Sequence, residues 1–242
     1  MTPELCTFLD WDTEFFGFRV GRVNIPRLDP ENVTRILAWC RDQRIRSLYF
    51  LADCGDRDTI RLAEKHGFYL VDLRVTLEFS FEKAGERGAA PAYRFALPED
   101  APILKAVART AYRDTRFYYD EHFSEELCSR LYEVWVEKSI GGYAEAVVVT
   151  GEPGKPEGYI TCHLNRADKR GKIGLVGVNE AERGRGVGKR LIAGALDWFA
   201  SQGMTSVEVV TQGRNLSAQR LYQRGGFITS DVKLWYHHWF DE

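Results

Sequence analysis

The sequence Arg183-Gly184-Arg185-Gly186-Val187-Gly188 stands between an apolar run at 173–178 and a helical stretch at 189–199. A strand, a glycine-arginine turn and a helix N-terminus are therefore predicted in series. Because glycine lacks a Cβ and tolerates positive φ, successive N–H groups can converge on an anion that the helix dipole also favours. The arginines add charge-assisted hydrogen bonds. The pattern indicates a diphosphate site, with plain strand–helix packing as the alternative.

The spacing of this turn separates it from two common phosphate-binding motifs. It contains no Gly-x-Gly-x-x-Gly and no Gly-Lys-Ser/Thr ending, and what remains is Arg-x-x-Gly-x-Gly. A second motif follows downstream and reads Asn215-Leu216-Ser217-Ala218-Gln219-Arg220-Leu221-Tyr222-Gln223-Arg224-Gly225-Gly226-Phe227. The two motifs together are more specific than either one.

This pair of motifs resembles the GNAT family of acyl-CoA N-acyltransferases, whose second motif is Asn-x-x-Ala-x-x-x-Tyr-x-x-x-Gly-Phe. The resemblance implies an α/β GNAT fold, a mixed sheet flanked by helices, with acetyl-CoA as acyl donor. One departure is Glu180, where most members have proline. Since that proline only shapes the turn, the departure bears little on the chemistry.

The resemblance also implies a set of coenzyme-binding residues. The pantetheine arm would pair with backbone groups near Val176, Gly177 and Val178, where two parallel strands separate, and would contact Asn215. An asparagine at a helix start is also a strong N-cap, and both roles can hold together. The diphosphate would contact Arg183, Gly184, Arg185, Gly186, Val187, Gly188 and Lys189, without a metal ion.

Tyr222 is the candidate general acid, since the resemblance places it at the CoA sulfur. A phenol with a reference pKa of about 10 stays protonated at neutral pH and can yield its proton to a thiolate. The alternative is a core tyrosine on an apolar helix face. The general base stays open among Glu180, Glu182, Asp114 and a water chain, and no metal is assigned.

Length and composition favour two modules without attraction to nucleic acid or membranes. The chain has 242 residues, 33 lysines and arginines and 35 acidic residues. Its five cysteines are odd in number and lack Cys-x-x-Cys pairing, so they are predicted to be reduced thiols. No apolar run approaches about 20 residues, and the N-terminus lacks a signal peptide pattern. The expected location is the cytoplasm.

A small, glycine-rich stretch at 84–92 predicts a linker between an N-terminal module, 1–83, and a catalytic domain, 93–242. In the second domain, helical spacing of apolar residues predicts helices at 99–112 and 124–138, a third after the glycine turn, and a fourth from Asn215. Strands are expected near 143–150, 157–165, 172–179, 207–210 and 227–239.

A partial internal repeat relates the two modules. Arg61-Leu62-Ala63-Glu64-Lys65-His66-Gly67-Phe68 aligns with 220–227 at an offset of 159, from Arg61 to Arg220, and 72–75 aligns with 231–234 at the same offset. Ala63 stands where the second copy has Tyr222, and no glycine turn occupies 24–29. The N-terminal module is therefore predicted to be a truncated copy of the same fold without its own CoA site. The alternative is that Gly-Phe after an amphipathic helix is common.

Aromatic and basic residues crowd the segment 115–123, between the first two helices of the catalytic domain. Arg116, Phe117 and Tyr118 are the candidate substrate-binding residues, since aromatic rings stack on sugars and arginine can hold phosphate. The alternative is a connecting loop held by aromatic packing.

Five features resemble one branch of the family, which acetylates nucleotide-linked amino sugars of the dTDP-4-amino-4,6-dideoxyhexose type. They are Trp-Asp-x-x-Phe-Phe-Gly at 11–17, Arg116-Phe117, the glycine turn, Thr211-Gln212 and Trp235-Tyr236. The resemblance implies a role in surface-polysaccharide precursor synthesis. Two other functions stay open: a GNAT enzyme for another small amine or a protein N-terminus, and a catalytically silent CoA-binding regulator. The aromatic C-terminus, 235–240, is compatible with an edge strand of a homodimer or with the core.

Overall fold

The computed structural model describes residues 4–85, 88 and 91–240. It divides into two compact units. Unit 1 comprises the described residues of Met1–Arg74, Gln212–Arg214 and Val232–Glu242, and unit 2 comprises Val75–Thr211 and Asn215–Asp231. None of the described helices combines the length and the apolar composition needed to cross a membrane.

Unit 1 contains three helices, three complete strands and parts of two more. The strands are β1 (Cys6–Phe8), β2 (Val20–Val23), β3 (Ser47–Asp53), the first half of β4 (Tyr69–Ser80) and most of β10 (Ile228–Trp239). The helices are α1 (Asp10–Phe16), α2 (Pro30–Asp42) and α3 (Arg57–Lys65). β2 and β3 are parallel, whereas β10 is antiparallel to β3 from Lys233↔Asp53 to Trp239↔Ser47. The core includes Ile36, Phe50 and Tyr236, each at most 1% exposed.

Unit 2 is larger, and its strand order is β4-β9-β8-β7-β6-β5. The further strands are β5 (Arg94–Phe95), β6 (Ala146–Glu152), β7 (Lys155–Asn165), β8 (Arg170–Val178) and β9 (Ser206–Gln212). The further helices are α4 (Ala101–Ala111), α5 (Glu125–Lys138), α6 (Val187–Ser201) and α7 (Leu216–Arg224). β8 is antiparallel to β7 and parallel to β9, so the mixed sheet predicted from the sequence is confirmed.

The helices of unit 2 cover its sheet where glycines permit close contact. Phe199 of α6 lies against Gly171, and Leu191 of α6 lies against Gly158. A Cβ built on Gly171 would lie 2.5 Å from the Phe199 ring, so position 171 has no room for a side chain. Every helix and strand predicted for the second domain is present within a few residues of its expected bounds.

The internal repeat extends over four consecutive elements. β3, α3 and β4 each begin and end 159 residues before β9, α7 and β10, and α2 ends 159 residues before α6. Gly67 and Gly226 both have positive φ, 80° and 89°. Phe68 and Phe227, which follow these glycines, are both 2% exposed. The repeat thus preserves backbone conformation as well as sequence.

The division into units differs from the predicted modules at both ends. The boundary falls between Arg74 and Val75, inside β4, rather than at the linker 84–92, of which residues 86, 87, 89 and 90 lie outside the described residues. The second half of β10 belongs to unit 1. The physical reason is that the two long strands divide between the cores. The C-terminal half of β4 packs in the core of unit 2, and the C-terminal half of β10 packs in the core of unit 1.

The aromatic C-terminus therefore lies in an internal strand, between β3 and β4 in strand order. Tyr236 is 1% exposed and stacks on Phe50, with ring centroids 6.2 Å apart. The interpretation of this stretch as an edge strand is wrong, because β10 has β3 on one side and β4 on the other in the strand order. A homodimer itself stays a prediction. The core alternative is the correct one.

Candidate active site

The glycine turn between β8 and α6 has the backbone conformation that its sequence predicts. Gly184 and Gly186 have φ of 79° and 78°, a region that side-chain-bearing residues rarely adopt. Gly186 is the N-cap of α6 and makes no side-chain cap hydrogen bond. The turn fits an anion, since the amide groups of a helix N-terminus need a partner. The assignment of Val187, Gly188 and Lys189 to a diphosphate stays a prediction.

The arginines of the turn are exposed and only weakly held. The Arg183 and Arg185 side chains are 50% and 69% exposed, and each faces a glutamate of the preceding 3₁₀ turn, Glu180 at 3.9 Å and Glu182 at 3.1 Å. Such surface pairs contribute at most about 1 kcal/mol. Both guanidinium groups are therefore available for an anionic ligand.

A third arginine at this turn was missed by the sequence analysis. Arg190, in the first turn of α6, donates to the Arg185 carbonyl oxygen at 3.1 Å and to Glu157 Oε2 at 2.6 Å. The hydrogen bond from Arg190 lowers the pKa of Glu157. Arg190 thus ties the turn to β7. No spacing rule connects positions 157 and 190, so the sequence carries no signal for this pair.

β8 separates from β9 just before this turn. Their parallel pairing runs from Arg170↔Ser206 to Ile173↔Val209, and β8 continues to Val178. Between Ile160↔Val176 and Cys162↔Ile173, β8 has one residue more than β7, which makes a β-bulge at Gly174 and Leu175. The Leu175 N–H donates to Thr161 Oγ1 at 2.8 Å. Because a bulge bends and twists a strand, it explains why β8 leaves β9 here.

Gly177 lies in the separated part of β8, at the centre of the predicted pantetheine segment 176–178. A Cβ built there would lie 2.6 Å from the Tyr159 ring and 3.0 Å from Val107. The Tyr159 hydroxyl is hydrogen-bonded to that of Tyr112 at 2.8 Å. Neither tyrosine was singled out from the sequence, because Tyr159 sits in an ordinary apolar strand and Tyr112 follows an ordinary amphipathic helix.

Tyr222 is buried on α7, where its ring packs against Phe227 at 5.8 Å between centroids. Burial raises the pKa of its phenol. Burial also raises the pKa of Tyr112, and nearby phenols, Tyr159 and Tyr222 among them, raise it further, so three phenols share one region. The apolar helix face expected from the core alternative is present. Such a phenol remains protonated at neutral pH, as an acid must.

Asn215 is the N-cap of α7. Its Oδ1 accepts hydrogen bonds from the Ala218 N–H at 3.0 Å and from Ser217 Oγ at 2.9 Å. The N-cap interpretation is therefore confirmed. Both contacts use the oxygen, so a ligand contact through Nδ2 stays a prediction.

The segment between α4 and α5 is held by its own aromatic residues. Phe117 is 2% exposed and lies edge-on to Phe123, at 5.2 Å between centroids. The Tyr118 hydroxyl is hydrogen-bonded to Ser129 Oγ at 2.8 Å, and the Arg116 guanidinium lies 4.2 Å from the Phe117 ring centroid. This arrangement matches the packing alternative for Phe117. Half-buried Arg116 and Tyr118 stay predicted as substrate-binding residues.

Comparison with known proteins agrees with this geometry. The model of the acetyltransferase (GNAT) family matches residues 106–227, half of the chain. The dTDP-fucosamine acetyltransferase of Escherichia coli O6:H1 (strain CFT073) is 27% identical over 94% of this chain and 95% of its own. The spore coat polysaccharide biosynthesis protein SpsD of Bacillus subtilis (strain 168) is 27% identical over 59% of this chain and 48% of its own.

A solved structure extends the likeness to the fold of nearly the whole chain. The GCN5-related N-acetyltransferase from Sphaerobacter thermophilus superposes with a TM-score of 0.67 over 97% of this chain and 76% of its own, at 16% identity. Combined with the family match and with the separated strands above the glycine turn, these findings identify the family. The chain belongs to the acetyltransferase (GNAT) family.

Proposed function

We propose that this enzyme transfers the acetyl group of acetyl-CoA to the amine of a nucleotide-linked amino sugar of the dTDP-4-amino-4,6-dideoxyhexose type. The observation that carries the proposal is the similarity to a dTDP-fucosamine acetyltransferase over 94% of the chain and 95% of the relative. Similarity of that extent includes unit 1 as well as the residues that the GNAT model matches. The likeness to a spore coat polysaccharide biosynthesis protein supports a role in polysaccharide precursor synthesis.

In this proposal, the separated part of β8 and the glycine turn hold acetyl-CoA, which supplies an activated acetyl group. Gly184 and Gly186 present backbone N–H groups to the diphosphate, and Arg183 and Arg185 add charge. Val176, Gly177 and Val178 offer strand hydrogen bonds to the pantetheine amides, as a strand edge offers them to any extended peptide-like chain. Asn215 contributes its Nδ2 group.

The reaction itself is a direct attack. The acceptor amine attacks the thioester carbonyl carbon, the C–N bond forms and the C–S bond breaks, and Tyr222 gives its proton to the sulfur. The raised pKa of Tyr222 keeps its phenol protonated at neutral pH, so the proton is present when the thiolate leaves. Arg116 and Tyr118 lie on the segment expected to contact the nucleotide sugar.

The test is a comparison of acceptors at one acetyl-CoA concentration. The purified protein is incubated with dTDP-4-amino-4,6-dideoxygalactose, with its 4-epimer, with free amino sugars, with small amines and with N-terminal peptides, and thiol release is followed. We expect kcat/KM for a dTDP-4-amino sugar to exceed that for every peptide and free sugar by at least about 100-fold, since the nucleotide supplies binding energy.

Two results would overturn the proposal. Preferred turnover of a peptide or of a free amine would assign the enzyme to another GNAT substrate class. Binding of acetyl-CoA by calorimetry without thiol release in the presence of any acceptor would favour the silent CoA-binding function. Mass spectrometry of the product identifies the acetylated nitrogen in the first case.

A further inference from the structure

His163 is a histidine on β7 that the established features of the site do not use. Tyr159, Thr161 and His163 alternate along β7 and so point to one face of the sheet. Tyr159 lies against Gly177, and Thr161 and His163 lie against Gly174. Gly174 is exposed and directly follows Ile173, the last residue of β8 that pairs with β9. His163 therefore borders the point where the two strands separate.

The imidazole is oriented with its two nitrogens facing different groups. Nδ1 lies 3.7 Å from Glu145 Oε2, and that oxygen accepts a hydrogen bond from the Leu164 N–H at 3.2 Å. Nε2 lies 2.9 Å from where a Cβ of Gly174 would stand. Only glycine at position 174 lets the ring occupy this place. Among the described residues, neither ring nitrogen has a hydrogen-bond partner, and the side chain is 24% exposed.

The charged and titratable groups around His163 come from three segments. They are Glu145 ahead of β6, Lys172 directly opposite on β8, and Tyr143, whose ring lies edge-on at 5.4 Å. Burial lowers the pKa of His163, Glu145 raises it and Lys172 lowers it. The imidazole is thus neutral at pH 7. A carboxylate beside Nδ1 favours the tautomer that leaves Nε2 free to accept a proton.

We propose that His163 is the general base that takes the proton of the acceptor amine at Nε2, and that Glu145 is its positioning residue. The proposal rests on the proposed function, because it requires an amine acceptor in the region where β8 and β9 separate. It assigns the general base, which the sequence leaves open among Glu180, Glu182, Asp114 and a water chain.

The protons of the transfer balance with two residues. As the amine nitrogen bonds to the thioester carbon, His163 Nε2 takes one amine proton, and Tyr222 gives one to the departing sulfur. The products are the amide and the free thiol of CoA. Afterwards the imidazolium releases its proton and the phenolate takes one, both by exchange with water. While the imidazole is protonated, its positive charge faces the Glu145 carboxylate.

The primary test is the pH dependence of kcat for His163→Gln with the best acceptor found for the wild type. Removal of a general base is expected to lower kcat by about 10²–10⁴-fold at pH 7. The loss should shrink as pH rises past the pKa of the amine, because solvent can then deprotonate it. His66→Gln, the same substitution in unit 1, is the matched control and should keep the wild-type profile.

Two further variants separate a base from a structural residue. Glu145→Gln removes the group that raises the pKa of His163, so the acidic limb of the kcat profile should move to lower pH. Imidazole in the buffer should restore part of the activity of His163→Ala. A wild-type profile for His163→Gln would overturn the proposal, and so would an equal loss at every pH without imidazole rescue.

Failure of this proposal is distinguishable from failure of the proposed function. If the wild type does not acetylate nucleotide amino sugars but does acetylate another amine, the substrate assignment fails, and the His163 experiments proceed with that amine. If the wild type acetylates the nucleotide sugar and His163→Gln keeps its profile, only the base assignment fails.

Discussion

The two repeats share a scaffold and differ in chemistry. The elements α2, β3, α3 and β4 correspond in position to α6, β9, α7 and β10, with the same positive-φ glycine and the same buried phenylalanine after the third element. The differences fall where a ligand would bind. This contrast indicates that packing constrains both copies, whereas the groups predicted to bind the coenzyme belong to the second copy.

The two repeats differ at the N-termini of the corresponding helices α2 and α6. In α2, Asp29 caps the helix: its carboxylate accepts from the Asn32 N–H at 2.8 Å, and the Asn32 side chain accepts from the Asp29 N–H at 3.0 Å. In α6, Gly186 supplies no side chain. A carboxylate at a helix N-terminus satisfies the amide groups and repels a phosphate. The capping box of α2 is consistent with the prediction that the first repeat binds no diphosphate.

The largest expected effect concerns Tyr222, whose counterpart in the first copy is Ala63. Tyr222→Phe keeps the packing on Phe227 and removes only the hydroxyl. We expect kcat to fall by about 10²–10⁴-fold, because a general acid contributes that much, while acetyl-CoA affinity stays constant by calorimetry. Wild-type turnover in Tyr222→Phe would show that this difference between the repeats is unrelated to catalysis.

The next effect tests the strand arrangement. Tyr236 of β10 packs in unit 1, and its counterpart Leu77 of β4 packs in unit 2. Tyr236→Ala and Leu77→Ala should each lower the free energy of unfolding by about 2–5 kcal/mol. Hydrogen exchange should rise around β3 for the first variant and around β9 for the second. Increased exchange of the same segments in both variants would contradict the assignment of the two strands.

A smaller effect is expected from placing a carboxylate, as in α2, at the N-terminus of α6. Gly186→Asp should weaken acetyl-CoA binding by about 100-fold more than Gly186→Asn, since like charges cost several kcal/mol and asparagine has the same shape. Both side chains tolerate positive φ better than most. Titration calorimetry measures the difference. Equal affinities of the two variants would mean that the diphosphate binds elsewhere.

The smallest effect concerns the turn after α2 and α6. Arg44 has φ 51° where its counterpart, Gly203, has φ 74°. Left-handed backbone costs a side-chain-bearing residue about 1–2 kcal/mol, and glycine loses about 0.5–1 kcal/mol of chain entropy. Arg44→Gly should therefore raise the free energy of unfolding by about 0.5–1 kcal/mol, and Gly203→Arg should lower it. Urea denaturation of both variants checks the sign.

The sequence predicted what local pattern controls. The glycine turn, the cap at Asn215 and the helix around Tyr222 follow from backbone preferences and helical spacing, and all lie where the motifs place them. The repeat was also predictable, because a positive-φ glycine followed by a buried phenylalanine gives the same Gly-Phe pattern in both copies.

Features that depend on pairing distant segments were not predictable. The bulge at Gly174 exists only relative to β7, and the environment of His163 requires residues 145 and 174 to meet. The placement of β4 and β10 is likewise set by the cores that accept them, which is why the module boundary at 84–92 differs from the observed division. The pattern of apolar residues within a strand does not indicate which strand will pair with it.

The last strand has a consequence for biosynthesis. Synthesis of β3 is complete at residue 53, but the part of β10 that pairs with it is made only from residue 233 onward. Throughout most of translation, the N-terminal half of the nascent chain exposes an unpaired strand edge, the kind of surface on which chains aggregate. Synthesis that stops before residue 233 should leave a protein that chaperones retain, even though its glycine turn at 183–188 has already been made.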